Sequence, residues 1–175
     1  MNFDHFKINL LQPTESEAFF NLIDRNRARL EDFFAGTVAK TLTLEDTKAY
    51  CLEIEERIQN KTYLPYMVID LTTNLFVGLV DVKNIDWNVP KAELGFFIDA
   101  EYQGQGITTK AATLVIEHII AEFKFIKLLC RASSRNNGSI AVILKSGFEL
   151  EGVIRNDYRT TKGEIVDLNY YGRVF

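Results

Sequence analysis

Sulfur ligands, histidines and basic runs are all scarce in this chain, and each scarcity removes a class of function. The two cysteines, Cys51 and Cys130, lie in separate apolar stretches with no Cys-x-x-Cys pair, and His5 and His118 are isolated. No metal centre is therefore expected, and both thiols read as reduced, core-facing residues. No basic run exceeds two or three residues, and the net charge is −4. Nucleic acid, which needs a concentrated basic face, is not expected as a partner. No apolar run reaches the length of a membrane span, and Met1 to Phe6 lacks the basic region and apolar core of a secretory signal. The expectation is a cytoplasmic protein with no membrane partner. Repeats, low-complexity tracts and linkers are also missing, so the 175 residues are expected to form one domain, 1–175.

What is present is an ordinary globular composition, 47% apolar and 25% charged, whose periodicity changes along the chain. Lys7 to Leu11 reads as a short strand ended by Gln12-Pro13. Thr14 and Glu17 have the spacing of a capping box before a helix with Phe19, Leu22 and Ile23 on one face. Thr43, with Asp46 three residues on, starts a second helix running to about Asn60. Strands are expected at Leu64 to Asp70, Leu75 to Lys83 and Lys91 to Ile98, with Asn84 to Pro90 as a loop. Phe125 to Ala132 alternates poorly, as a strand covered on both faces does. A short helix follows from about Asn137 to Lys145, closed by Gly147. Phe148 to Tyr158 and Glu164 to Val174 are the last two strands.

The centre of this pattern is Glu93 to Lys110. It begins as the apolar strand Leu94-Gly95-Phe96-Phe97-Ile98 and ends as a helix whose apolar stripe runs through Ala112, Val115, Ile116, Ile119, Ile120 and Phe123. Between them lies Gln103-Gly104-Gln105-Gly106, then Ile107, Thr108 and Thr109. Two glycines in a strand-to-helix turn let backbone N–H groups converge at the positive end of the helix dipole, where a diphosphate would sit. The plainer alternative is a tight turn with Thr108 or Thr109 as helix cap. A dinucleotide fingerprint fails, because Thr109 occupies the third glycine position and no acidic residue ends a second strand about 20 residues on.

Gln103-x-x-Gly106-x-Thr108 resembles the pyrophosphate loop of the GNAT superfamily of acyl-CoA-dependent N-acyltransferases, and Ala92-Glu93-Leu94-Gly95 is similar to the preceding strand of its RimJ/RimL-type branch. Asn136-x-x-Ser139 followed by Gly147-Phe148 resembles the family's second diagnostic segment, at the right distance and with one helix and one strand between. Thr108, where Gly or Ala is usual, and Lys110, where Glu is usual, are departures. The resemblance implies an α/β (α+β) GNAT-like fold, with a mixed, mostly antiparallel sheet of about seven strands flanked by helices. Two of its strands would part to admit pantetheine as an extra strand would enter.

It further implies acetyl-CoA as acyl donor, held by Phe97, Ile98, Gln103, Gly104, Gln105, Gly106, Ile107, Thr108 and Asn136, with no metal. Transfer by direct attack needs a neutral amine, an oxyanion donor and an acid for the thiolate. A backbone N–H near Phe97 or Ile98 would be the oxyanion donor. Glu93, a carboxylate in an apolar strand, is the candidate base; the alternative is an edge residue paired with Lys91 or Lys83. Ser139 is the candidate acid, since Ile143 stands where many members carry Tyr; Tyr170 and Tyr171 are alternatives. Asn136 and Ser139 also read as helix-cap residues. An α-amine, with a pKa of about 7.7–8.0 against roughly 10.4 for Lys, asks least of the base. Together with the RimJ/RimL-like flanks, this makes a protein N-terminus, of the ribosomal-protein type, the expected acceptor. A polyamine or aminoglycoside drawn by Glu53, Glu55 and Glu56 is one alternative, and a binding module holding acyl-CoA without turnover another. A monomer or homodimer is expected.

Overall fold

The computed structural model describes residues 1–175. Eight strands form one sheet: β1 (Asn2–Phe3), β2 (Phe6–Leu10), β3 (Leu64–Asp70), β4 (Leu75–Asp86), β5 (Lys91–Ile98), β6 (Lys127–Ser133), β7 (Glu149–Arg159) and β8 (Ile165–Val174). They lie in the order β1-β2-β3-β4-β5-β6-β8-β7, and β5–β6 is the one parallel pair. The helices are α1 (Ser16–Leu30), α2 (Ala35–Ala39), α3 (Leu44–Gln59), α4 (Ile107–Phe123) and α5 (Asn137–Lys145). The eighth strand, one more than expected, is the two-residue β1, too short to carry a periodic signal.

All seven residues of β3 are buried because the sheet is covered on both faces. Tyr66 and Val68 join Val115, Ile116 and Ile119 of α4 in one core, while Met67 and Ile69 join Phe19, Leu22 and Ile23 of α1 and Ile54 of α3 in the other. Strand alternation thus sends one chain segment into two cores. No helix is long and apolar enough to cross a membrane.

Local chemistry fixes the helix starts, with one correction. Thr43 caps α3 as read, its hydroxyl accepting from the Asp46 amide at 3.1 Å while Asp46 accepts from the Thr43 amide at 3.1 Å. Thr14, by contrast, is no cap. It lies inside a 3-10 turn, Pro13–Glu15, and the reciprocal contact is Gln12 N–H to the Glu15 carboxylate at 2.8 Å. Pro13 sets the backbone angle that starts this turn one step earlier. Asn84 to Asp86 also departs from its loop reading. Asn84 takes a left-handed conformation, φ 49°, within β4, and the register shift there lets the strand continue to Asp86.

Candidate active site

The parallel ladder between β5 and β6 holds for three residue pairs, Lys91–Lys127, Ala92–Leu128 and Glu93–Leu129, and then stops. Beyond Glu93, β5 stays bonded to β4 and β6 to β8, so Leu94–Ile98 and Cys130–Ser133 diverge. A cleft of about 700 Å³ opens in the gap. Both strands line it, together with the glycine turn, the first turns of α5, the end of α1 and Tyr158.

Helix α4 gives one end of the cleft its character. Where α3 is capped by Thr43 and α5 by Asn136, whose side chain accepts from the Ser139 amide at 3.0 Å, the N-terminus of α4 has no side-chain cap. Its N-cap is Gly106 at φ 77°, preceded by Gly104 at φ 74°. Both are left-handed, and a Cβ at either would meet nothing within 4 Å. The first-turn amides therefore face open space with the helix dipole behind them. Thr108 and Thr109 lie within that turn and cap nothing, so the helix-cap part of the plainer reading does not hold, while the tight turn does.

The turn is braced from behind. Asp99 accepts from the Arg25 guanidinium and from the Glu101 amide, and Asn26 accepts from the Ala100 amide at 3.2 Å. Burial opposes ionisation of Asp99, but Arg25 and the Glu101 amide outweigh it and hold the carboxyl below its usual range. Tyr102 donates to Asp70 at 2.8 Å. Burial works against the Asp70 charge too, yet Thr72 and Tyr102 bring that carboxyl down to about 2.

The other end is built from side chains. Glu93, 9% exposed, accepts from Arg131 Nε at 3.0 Å and from Asn84 Nδ2 at 2.9 Å. Its partner is thus neither Lys91 nor Lys83, and it sits in a central strand, not at an edge. Lys83 instead faces Asp81, Nζ to Oδ1 at 3.6 Å. Asp81 is 3% exposed and accepts from the Tyr63 hydroxyl at 3.1 Å on its other oxygen. This pair lies directly over Gly95: a Cβ there would stand 2.3 Å from Asp81 Oδ1 and 2.7 Å from Lys83 Nζ.

Of the residues singled out in the sequence, Glu93, Phe97, Ile98, Gln103, Gly104, Thr108, Asn136 and Ser139 all line this cleft. Three do not. Ile107 is buried in the core below α4, Gly106 is the N-cap, and Gln105 turns back to donate to the Glu101 carbonyl at 3.2 Å. Only their backbone groups remain available to a ligand. Tyr170 gives its hydroxyl to Asp157 at 2.7 Å and Tyr171 is buried; neither lines the cleft, whereas Tyr158 does, beside Phe33. Glu53 of α3 pairs with Lys40 at the end of α2, and none of Glu53, Glu55 and Glu56 reaches the cleft. Cys130 lines it as a buried thiol that burial pushes far up, so it stays protonated. Asp81, Asn84 and Arg131 escaped sequence reading, since only the strand register brings them to Glu93 and Gly95, and Arg29 escaped it because only the packing of α1 brings it to the Ile98 carbonyl; the one available signal was Asp-x-Lys facing Glu-x-Gly on adjacent strands.

The GNAT acetyltransferase domain family matches residues 6–149. A putative ribosomal N-acetyltransferase of Bacillus subtilis, YdaF, is 30% identical over 96% of this chain and 90% of its own. The spermidine N(1)-acetyltransferase of Escherichia coli is 31% identical over 46% of this chain and 44% of its own. Among solved structures, RimL, a ribosomal L7/L12 alpha-N-protein acetyltransferase in complex with coenzyme A, superposes with a TM-score of 0.89 over 99% of this chain and 96% of that one. At 20% identity that likeness concerns the fold.

Proposed function

The chain belongs to the GNAT acetyltransferase family, and from that premise we propose that it moves an acetyl group from acetyl-CoA to the N-terminal α-amine of a protein, ribosomal or other, in the cytoplasm. The diphosphate lies on the uncapped amides of α4 and the Gln103–Thr108 turn, and pantetheine runs between β5 and β6 past Phe97, Ile98 and Asn136. A backbone N–H near Phe97 or Ile98 receives the thioester oxyanion. Glu93 takes the proton from the incoming amine through water, and Ser139 returns one to the thiolate.

The observation that carries the acceptor class is the charge of the cleft lining. Arg29, Lys83, Arg131 and Arg135 line it against one lining acid, Glu93. Cations beside a bound amine favour its neutral, nucleophilic form. They suit an α-amine, already partly neutral near pH 7, and repel a polyamine that carries further charges along its length. YdaF, matched over nearly the whole chain, agrees with this reading, while the spermidine enzyme matches less than half.

Acetyl transfer to peptides with free N-termini, beside N-blocked peptides carrying Lys and beside spermidine, tests it. Turnover confined to the free N-termini is the expected result. Activity confined to spermidine or to the blocked peptides overturns the acceptor, and CoA binding without turnover on any amine leaves a binding module.

A further inference from the structure

The acceptor end of the cleft contains a cation whose donors are unused. Arg131 is committed to Glu93 and Arg135 to Glu164, each at 3.0 Å. Lys83 differs. Its Nζ lies 3.6 Å from Asp81 Oδ1, a charge–charge contact beyond hydrogen-bond reach, and makes no hydrogen bond. Asp81 Oδ1, fully buried, has no hydrogen-bond partner either. The carboxylate holds the ammonium in place and leaves its N–H groups free for something else. Lys83 lines the cleft and the Phe34 ring flanks it, 5.3 Å from Nζ. The missing side chain at Gly95 is what makes room for it on the cleft floor. Arg29, nearby at the end of α1, donates to Asn26 and to the Ile98 carbonyl and pairs with no carboxylate.

We propose that Lys83, positioned by Asp81, receives a carboxylate of the acceptor, so that the acceptor is a protein N-terminus with Asp or Glu at its second residue. This rests on the α-amine reading above. Gly95 and Phe97 lie on one face of β5, two residues and roughly 7 Å apart. With the thioester carbonyl at Phe97, an anion on Lys83 stands that far from the attacking nitrogen. A side-chain carboxylate on the second residue of a peptide spans such a distance. A single negative charge fits better than a doubly charged phosphate, because Asp81 already answers part of the Lys83 charge from below and Glu93 stands on the neighbouring strand, opposite Lys83. A basic second residue would instead meet Lys83 and Arg29.

The test uses three peptides with free N-termini, identical except for Asp, Asn or Lys at the second position. For the wild-type protein, kcat/KM for the Asp peptide should exceed that for the Asn peptide by about tenfold, with the Lys peptide lower still, and added salt should shrink the difference. Lys83→Met should abolish the preference while leaving the acetyl-CoA KM unchanged, and Lys83→Arg should restore part of it. Because Lys83→Met leaves Asp81 buried without its cation, the double variant Asp81→Asn/Lys83→Met, in which Tyr63 keeps a partner, serves if the single one does not fold. Equal turnover of the three peptides, or a preference that survives the loss of Lys83, overturns this proposal alone. No turnover of any peptide overturns it together with the α-amine reading.

Discussion

The two ends of the cleft are made of different material. At the glycine turn the groups that face open space are backbone amides, and the side chains of Gln105 and Ile107 point elsewhere. At the acceptor end the backbone supplies a floor and the proposed oxyanion donor, and the rest of the surface is the interlocked set Glu93–Arg131–Asn84 and Asp81–Lys83–Tyr63. A backbone-built site tolerates changes of side chain and fails when the main chain is reshaped. A site built from side chains fails when one neighbour moves.

Gly106→Val should produce the largest effect. Valine at φ 77° is strained by about 1–2 kcal/mol, and its methyls enter the space before the α4 amides, which holds no protein atom. CoA affinity measured by calorimetry should fall at least about a hundredfold. Wild-type affinity would remove the diphosphate from this turn.

Gly95→Ala probes the opposite end and is the smaller chemical change. One methyl must displace the Asp81–Lys83 pair, and overpacking of this kind costs roughly 1–3 kcal/mol. Turnover should fall while CoA binding is retained. A variant that loses CoA binding as well would show the two ends to be one coupled unit.

Asp70→Asn should act least, on the bracing behind the glycine turn. With its carboxyl held near 2 against an ordinary 3.8, Asp70 contributes stability that is complete above about pH 4 and is lost as pH falls toward 2. The variant should lose on the order of 1–2 kcal/mol at neutral pH and unfold less steeply in acid. An unchanged acid limb in urea melts would exclude Asp70 from the bracing.

The same division decides what could be read from the sequence. Strands β3 and β5 and helix α5 fall where their patterns put them, since each is bounded by strong local punctuation: Pro65, Thr72-Thr73-Asn74, the glycine turn, Asn136 and Gly147. The glycine turn was legible for the same reason, as a local backbone event. β4 overran its expected end because Asn84 looks like a turn residue, and a left-handed Asn inside a bulge has the same signature as one in a loop. Glu93 could be singled out as an anomaly, a charge in an apolar strand. Its partner Arg131 lies on a strand that arrives only after α4 has crossed over, and no local pattern fixes that register.

The three-pair ladder between β5 and β6 has a consequence for cooperativity. It divides the eight strands into a sub-sheet of five and a sub-sheet of three, joined in the sheet plane by a seam one residue either side of Ala92–Leu128. Elsewhere in the sheet, main-chain bonds hold neighbours together along most of their length. At the seam, pantetheine in the proposed binding mode would take the place of the missing bonds. Ligand occupancy then becomes part of the folding free energy, and about 2.7 kcal/mol of apparent stability accrues at a concentration one hundred times the dissociation constant. The two sub-sheets nevertheless share one apolar core across the seam, where Val80, Leu94 and Val115 pack in one cluster with Leu128, Cys130, Phe148 and Tyr171, so a ligand bound there would add an in-plane tie to parts that packing already joins.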